Sequence, residues 1–214
     1  SITTDGVITT LNTGGVTFNA STNLTANTVV TSAAGNIVLD SANGNVVSTK
    51  ALLAKAGDIT LTATLGNVTT TADVEATAGA VAVKAGLAAS LTKVTAFETI
   101  EAEAGTDVTL TKAVTVTGTP LGTGLVKLTA IAGNLLQQVL APITVVDGKI
   151  ELTSVAGTVS LNSLVRSNLE IGINAGQGIA LDNAVDLTAA VRTTGVDGTI
   201  TIKSDANAIV INAP

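Results

Sequence analysis

The feature that most constrains the fold of this chain is a glycine followed by apolar residues at alternating positions. Copies begin at Gly14, Gly35, Gly57 and Gly79, about 22 residues apart, with apolar residues two and four positions later. Alternation with a period of two is typical of strands that bury one face. Self-similarity at this spacing indicates a repeat architecture, in which each unit buries its core against its neighbours.

Each repeat contains three short strand-like segments. After Gly57 the sequence reads GDITL, then GNVTT from Gly66, then DVEA from Asp73. Strands this short, joined by bends, cannot pair with one another in a flat sheet, but each can pair with its equivalent in the next repeat. We therefore predict an all-β chain, a right-handed parallel β-helix (β-solenoid) with roughly 20–28 residues per turn and about nine turns.

Further copies of the motif are less regular. They begin at Gly105, Gly148, Gly157, Gly178 and Gly198, and a poorer copy at Gly133 has Gln137 where an apolar residue is expected. We expect a single solenoid domain over residues 1–214, with irregular turns and loop insertions around 79–156. The repeated glycines are expected to supply unusual backbone angles at the bends.

The composition fits a narrow core and excludes several functions. Apolar residues make up 46% of the chain, but the aromatics are only Phe18 and Phe97, and Trp, Tyr, Met, His and Cys are absent. The net charge of −6 disfavours nucleic acid, which is bound through Lys and Arg. The longest apolar-looking segment, 128–146, is interrupted by two glutamines, an asparagine and a proline, so we expect no membrane insertion.

Few residues are candidates for chemistry. Glu98, Glu101 and Glu103 lie close together, and Glu101 and Glu103 would share a face of one strand. Paired carboxylates can act as acid and base in glycosidases, but a solvated edge explains them better, because no His or Tyr accompanies them. We therefore expect no catalytic, cofactor-binding or metal-binding residues and no enzyme activity.

Loops of the irregular middle are the best candidates for binding. The clearest has three glycines and a proline in eight residues, and a second follows at Pro142. Binding segments are often loops carried on a rigid scaffold. The candidate residues of the first loop are Thr117, Gly118, Thr119, Pro120, Gly122 and Gly124.

The repeats GNIVLDSANGNV and GDITLTATLGNV resemble those of filamentous-haemagglutinin-type proteins and the related giant repetitive adhesins. The resemblance implies a secreted, extracellular or cell-surface rod that serves as a stalk, shaft or filament. We expect a non-enzymatic structural protein. One alternative is an adhesin segment whose loops bind glycans or surfaces, and a second is a β-helix enzyme that processes polysaccharides.

Strand-like sequence runs to both ends of the chain. A solenoid end presents unpaired backbone groups over exposed core, so we expect these ends to contact other turns. The chain has no Met, which indicates a processed subunit or part of a longer chain. The partner is then a second copy stacked head to tail or neighbouring repeats of the same chain, through the candidate residues Ile2, Ile8, Ile209 and Ile211.

Overall fold

The computed structural model describes residues 1–118, 122–182, 187–189 and 199–212. These residues form 28 strands and no helix. The described ranges therefore hold no helix long and apolar enough to cross a membrane. Every strand pairing is parallel and joins residues about one turn apart, as in Ile37 with Ile59.

The strands form three sheets that are the three walls of a solenoid, and each turn adds one strand to each wall. Sheet A contains β1 Ile2–Thr4, β4 Leu24–Ala26, β7 Val46–Ser48, β10 Val68–Thr70, β13 Ala89–Leu91, β16 Val108–Leu110, β19 Leu135–Gln137, β22 Val159–Leu161, β25 Ile179–Asp182 and β28 Ile209–Asn212.

Sheet B contains β2 Ile8–Thr10, β5 Val30–Ser32, β8 Leu52–Ala54, β11 Val74–Ala76, β14 Val94–Ala96, β17 Val114–Val116, β20 Ile143–Val145, β23 Val165–Ser167 and β26 Leu187–Ala189. Sheet C contains β3 Val16–Ala20, β6 Ile37–Ser41, β9 Ile59–Ala63, β12 Val81–Ala85, β15 Thr99–Ala104, β18 Gly124–Ala130, β21 Gly148–Ser154, β24 Glu170–Ala175 and β27 Thr199–Ser204.

The predicted all-β parallel β-helix with three strands per turn is confirmed. The nine strands of sheet C are separated by eight turns, so the solenoid has about eight turns rather than about nine. Turn length varies more than predicted. Val81 pairs with Ile100 across a short turn, whereas Ile179 pairs with Ile209 across a much longer one.

The core is a column of small and medium aliphatic side chains enclosed by the three walls. Inward residues such as Leu24, Ile59 and Leu61 are fully buried, and their outward neighbours are half-buried or exposed. The alternation in the sequence therefore identified the buried faces correctly. At the first turn Ile2, Ile8 and Phe18 are only partly buried, because no turn covers them on one side.

The corner glycines are required by close packing rather than by backbone angle, which corrects the expectation from the sequence. Among the described glycines only Gly122 has a positive φ, of 86°. A Cβ on Gly35 would lie 2.6 Å from the backbone N of Gly15, and one on Gly57 would lie 2.6 Å from the backbone O of Gly35. Successive turns thus approach so closely at this corner that no side chain fits.

The glycines also belong to two different corners. Gly57 and Gly79 precede strands of sheet C, whereas Gly105, Gly133 and Gly157 precede strands of sheet A. If these five glycines are treated as equivalent positions of successive turns, the spacing between them suggests that every turn after Gly79 is longer than 22 residues. The strand register shows instead that a short turn follows Val81 and that the long turn begins only at Ile100, which pairs with Val126.

Inward serines close several corners. Ser154 Oγ donates to Gly133 O at 2.7 Å and accepts from Gly157 N at 3.0 Å, and Ser41 bonds Thr22 O and Gly44 N in the same way. These serines lie three positions before a glycine in the sequence. Each satisfies two backbone groups that the bend removes from the strand ladder.

Asparagines form a second ladder between turns. Asn23 Oδ1 accepts from Asn45 N at 2.9 Å, Asn45 Oδ1 from Asn67 N at 2.8 Å, and Asn67 Oδ1 from Ala88 N at 3.0 Å. The side chains therefore continue the hydrogen bonding of the sheet around the corner between sheets C and A.

We predict that Gly57→Ala destabilises the protein by about 1–3 kcal/mol, because the added Cβ overlaps the backbone of the preceding turn. The matched control is Gly14→Ala, since nothing lies within 4 Å of a Cβ there. The control should be neutral or stabilise by about 0.4–1 kcal/mol. Equal urea midpoints for the two variants would contradict the packing explanation.

We predict that Ile59→Asp destabilises by several kcal/mol, because it places an unpaired carboxylate in the core. Thr60→Asp changes the next residue on the outer face and should cost less than about 1 kcal/mol. Thermal unfolding measures both. A larger loss of melting temperature for Thr60→Asp would mean that the strand faces are inverted.

Candidate functional site

Sheet C is the broadest wall and carries most of the glutamates. Its strands have five to seven residues, whereas those of sheets A and B have three or four. The strands lengthen from β15 onward, and most of the charged residues on the outer face of this wall lie on β15, β18, β21 and β24. The charged residues of this wall from β12 to β24 are Lys84, Glu101, Glu103, Lys127, Lys149, Glu151 and Glu170.

The parallel register places opposite charges side by side. Glu101 pairs with Lys127 and Lys127 with Glu151, which gives a row of alternating charge on three successive strands. Neighbouring strands lie about 4.8 Å apart, so each charge faces an opposite charge on the next turn. Like charges in this position would repel and destabilise the sheet.

Two close ion pairs flank this row. Lys149 Nζ lies 2.8 Å from Glu170 Oε2, and the hydrogen bond to Glu170 raises the pKa of the Lys149 ammonium group above its usual value. Lys84 Nζ lies 3.9 Å from Glu103 Oε1. Both pairs are open to solvent, where ion pairs contribute little to stability.

A shallow depression of about 250 Å³ lies on this wall over Ala82. Thr60 and Glu101 are the neighbours of Ala82 in register, and the small alanine leaves a gap between them. The depression is lined by Thr60, Thr62, Ala82, Val83, Lys84, Glu101, Ala102, Glu103, Lys127 and Thr129.

The glutamates predicted as a candidate pair do share one face. Glu101 and Glu103 both point outward from β15, whereas Glu98 lies in the bend before it. A general acid needs a carboxyl group whose pKa is raised by burial, but half of the Glu103 side chain is exposed. The arrangement thus suits binding better than acid–base catalysis. Within the described ranges no three carboxylates are grouped in a way that could hold a metal ion.

The loop predicted to bind is only partly described. Thr117 donates from N to Ala96 O at 3.0 Å, and Gly118 packs against the ring of Phe97. Gly124 belongs to β18 rather than to a loop and pairs with Gly148. Thr119 and Pro120 lie outside the described residues.

The strand before the second loop, β19, ends in the residue that departs from the repeat in the sequence. Gln137 is fully buried in a position where the two adjacent turns have Leu110 and Leu161. Its Nε2 donates to Ala141 O at 2.8 Å and to Leu164 O at 3.1 Å, and its Oε1 accepts from Ser163 N at 3.2 Å. The amide thus replaces a hydrophobic contact with bonds that hold the loop to the next turn.

The candidate assembly residues lie at the two ends of the rod. Ile2 and Ile8 are half-buried on the first turn, and Ile209 is 42% exposed on the last strand of sheet A. Ile211 lies in the same strand, β28. Among the described strands, β1 and β28 are the outermost strands of sheet A.

Comparison with protein-family models, curated proteins and solved structures finds no match. The parallel β-solenoid is shown by the strand pairing. The resemblance to filamentous-haemagglutinin-type repeats is an inference from the sequence pattern.

We predict that Gln137→Leu destabilises by about 1–3 kcal/mol, because it leaves the Ala141 and Leu164 carbonyls and the Ser163 N–H without their partner. Leu110→Gln is the matched control, since it puts the same amide in the adjacent turn of the same column. Urea unfolding should show a loss for both variants. A gain in stability for Gln137→Leu would mean that the hydrogen bonds of the amide do not stabilise the fold and that the side chain only fills space in the core.

Proposed function

We propose that this protein is a non-enzymatic structural rod, a shaft or filament subunit. The observation that carries the proposal is the aliphatic core, which is continuous from Val16 to Leu181 among the described residues. Turns that contact only their neighbours make a stiff, extendable element. Such an element acts as a spacer between whatever lies at its two ends.

We place this rod outside the cell or on its surface. The resemblance of the repeats to those of large exported adhesins supports this location. The lack of cysteine agrees with it, because a chain without thiols needs no disulfide chemistry during export.

The ends of the rod are its proposed contacts with further turns. The inward Ile200 is 41% exposed and Ile209 is 42% exposed, although both occupy core positions. Continuing the register would place Ile209 beside Ile2, and Ile200 beside Val16, so apolar side chains would meet in both sheets. A second copy or additional turns of a longer chain would bury these residues in the same way.

An alternative function is adhesion through the loops. Val139 and Leu140 form the tip of the second loop and are 67% and 82% exposed. Leu140 has a φ of 67°, a left-handed conformation that costs a non-glycine residue about 1–2 kcal/mol. Exposed apolar side chains on a strained turn favour contact with another surface. A polysaccharide-processing enzyme is less well supported, because its candidate carboxylates lie on an open wall.

We predict elongated particles that join end to end as concentration rises. Negative-stain electron microscopy and sedimentation velocity of the purified chain measure particle shape and association. Ile8→Lys should block association, because it places a charge on the open core of the first turn. Thr9→Lys alters the exposed neighbour on the same strand and should leave association unchanged.

Three outcomes would contradict these proposals. Compact, isotropic particles would contradict the proposal of a structural rod. Elongated monomers at every concentration would contradict association between copies, and the ends of the rod would then be expected to contact additional turns of the same chain. Release of reducing ends from acidic polysaccharides would replace the structural function with the enzymatic one.

A further inference from the structure

The depression over Ala82 is a gap in the outer face of sheet C. The inward-pointing Val83 and Ala102 keep 4% and 3% of their surface exposed, because the small side chain of Ala82 covers little of the sheet. The floor is therefore formed by the apolar side chain of Ala82 and the small exposed parts of Val83 and Ala102. A volume of about 250 Å³ is below the range of about 300–1,000 Å³ of drug-sized pockets, so it fits a ligand of one ring.

The rim of this depression balances its charges. Lys84 and Lys127 supply ammonium donors, and Glu101 and Glu103 supply carboxylate acceptors. These four charges sum to zero, so they give neither an anionic nor a cationic ligand a net electrostatic attraction. A neutral ligand that bonds to both kinds of group needs no such attraction.

Hydroxyl groups suit every member of this rim. A hydroxyl both donates and accepts, so it can bond a carboxylate on one side and an ammonium group on the other. The threonines, Thr60, Thr62 and Thr129, can bond in either direction. The C–H face of a sugar ring is apolar and matches the floor formed around Ala82.

We propose that the depression over Ala82 binds one neutral, hydroxyl-rich sugar residue of a saccharide. The site is distinct from the two loops and goes beyond a structural role, and it does not depend on the rod associating with other copies. The wall is open and has no aromatic side chain among the lining residues. The Kd is therefore on the order of 1 mM, as expected for about a dozen heavy atoms on a shallow surface.

Saturation-transfer NMR on the whole chain tests this site, because it detects weak ligands. The probes are neutral disaccharides of glucose, galactose and mannose, with glucuronate and glucosamine as charged comparisons. We expect transfer to at least one neutral disaccharide and less to either charged sugar. The variant Ala82→Ile fills the floor and should abolish the signal.

Two further variants separate binding from folding. Ala180→Ile makes the same change at an outward position of sheet A and should keep the signal. Glu101→Gln preserves the shape of the rim but leaves two lysines against one carboxylate, so it should shift preference toward glucuronate by severalfold. This variant also tests the site if Ala82→Ile fails to fold.

Several results would overturn the proposal. One is the absence of saturation transfer to every neutral probe at about 50 mM, a concentration well above the expected Kd. Another is a transfer signal that persists in the Ala82→Ile variant. Preference of the unaltered chain for glucuronate or glucosamine would also overturn it, as would hydrolysis of the probe. Particle shape in electron micrographs reports separately on the structural rod, so the two proposals can fail independently.

Discussion

The close, in-register stacking of one turn on the next is the constraint on which this structure depends. Every wall is a parallel ladder, and each inward side chain rests on the equivalent residue of the next turn, as Ile37 rests on Ile59. The separation of turns is that of paired strands, about 4.8 Å, which leaves no room for a Cβ where the corners coincide. This explains why glycine recurs at Gly35, Gly57 and Gly79, although none of these residues has a left-handed backbone.

Much of the fold could be predicted because strand alternation is local information. The burial of Ile59 and Leu61 follows from their spacing alone, and so does the shared outer face of Glu101 and Glu103. The register between turns could not be predicted where turn length changes. Lys127 lies beside Glu101 only because that turn is a long one, and the glycine spacing alone did not separate this turn from the short turn before it. The depression over Ala82 depends on the same alignment, so it could not be predicted either.

Gln137 illustrates a second limit of sequence patterns. A polar residue in a core position looks like an interruption of the repeat, and its tolerance depends on partners a full turn further along the chain. The Ser163 N–H and the Leu164 carbonyl lie beside the amide only after the next turn has formed. A buried amide with three satisfied bonds costs little, whereas the same residue without them would be strongly unfavourable. Tertiary structure, rather than the local sequence, therefore decides whether a polar residue is tolerated at this core position.

The distribution of charge follows from the same stacking. On any wall of a parallel solenoid an outward residue has two neighbours in register, so a charge on one turn restricts the charge on the next. Alternation from Glu101 to Lys127 to Glu151 satisfies this restriction and keeps the wall nearly neutral. A small residue in such a row, as at Ala82, exposes the sheet surface between charged neighbours. The stacking that forms the walls thus also creates a polar-rimmed hollow without any insertion, through one small side chain in a row of larger ones.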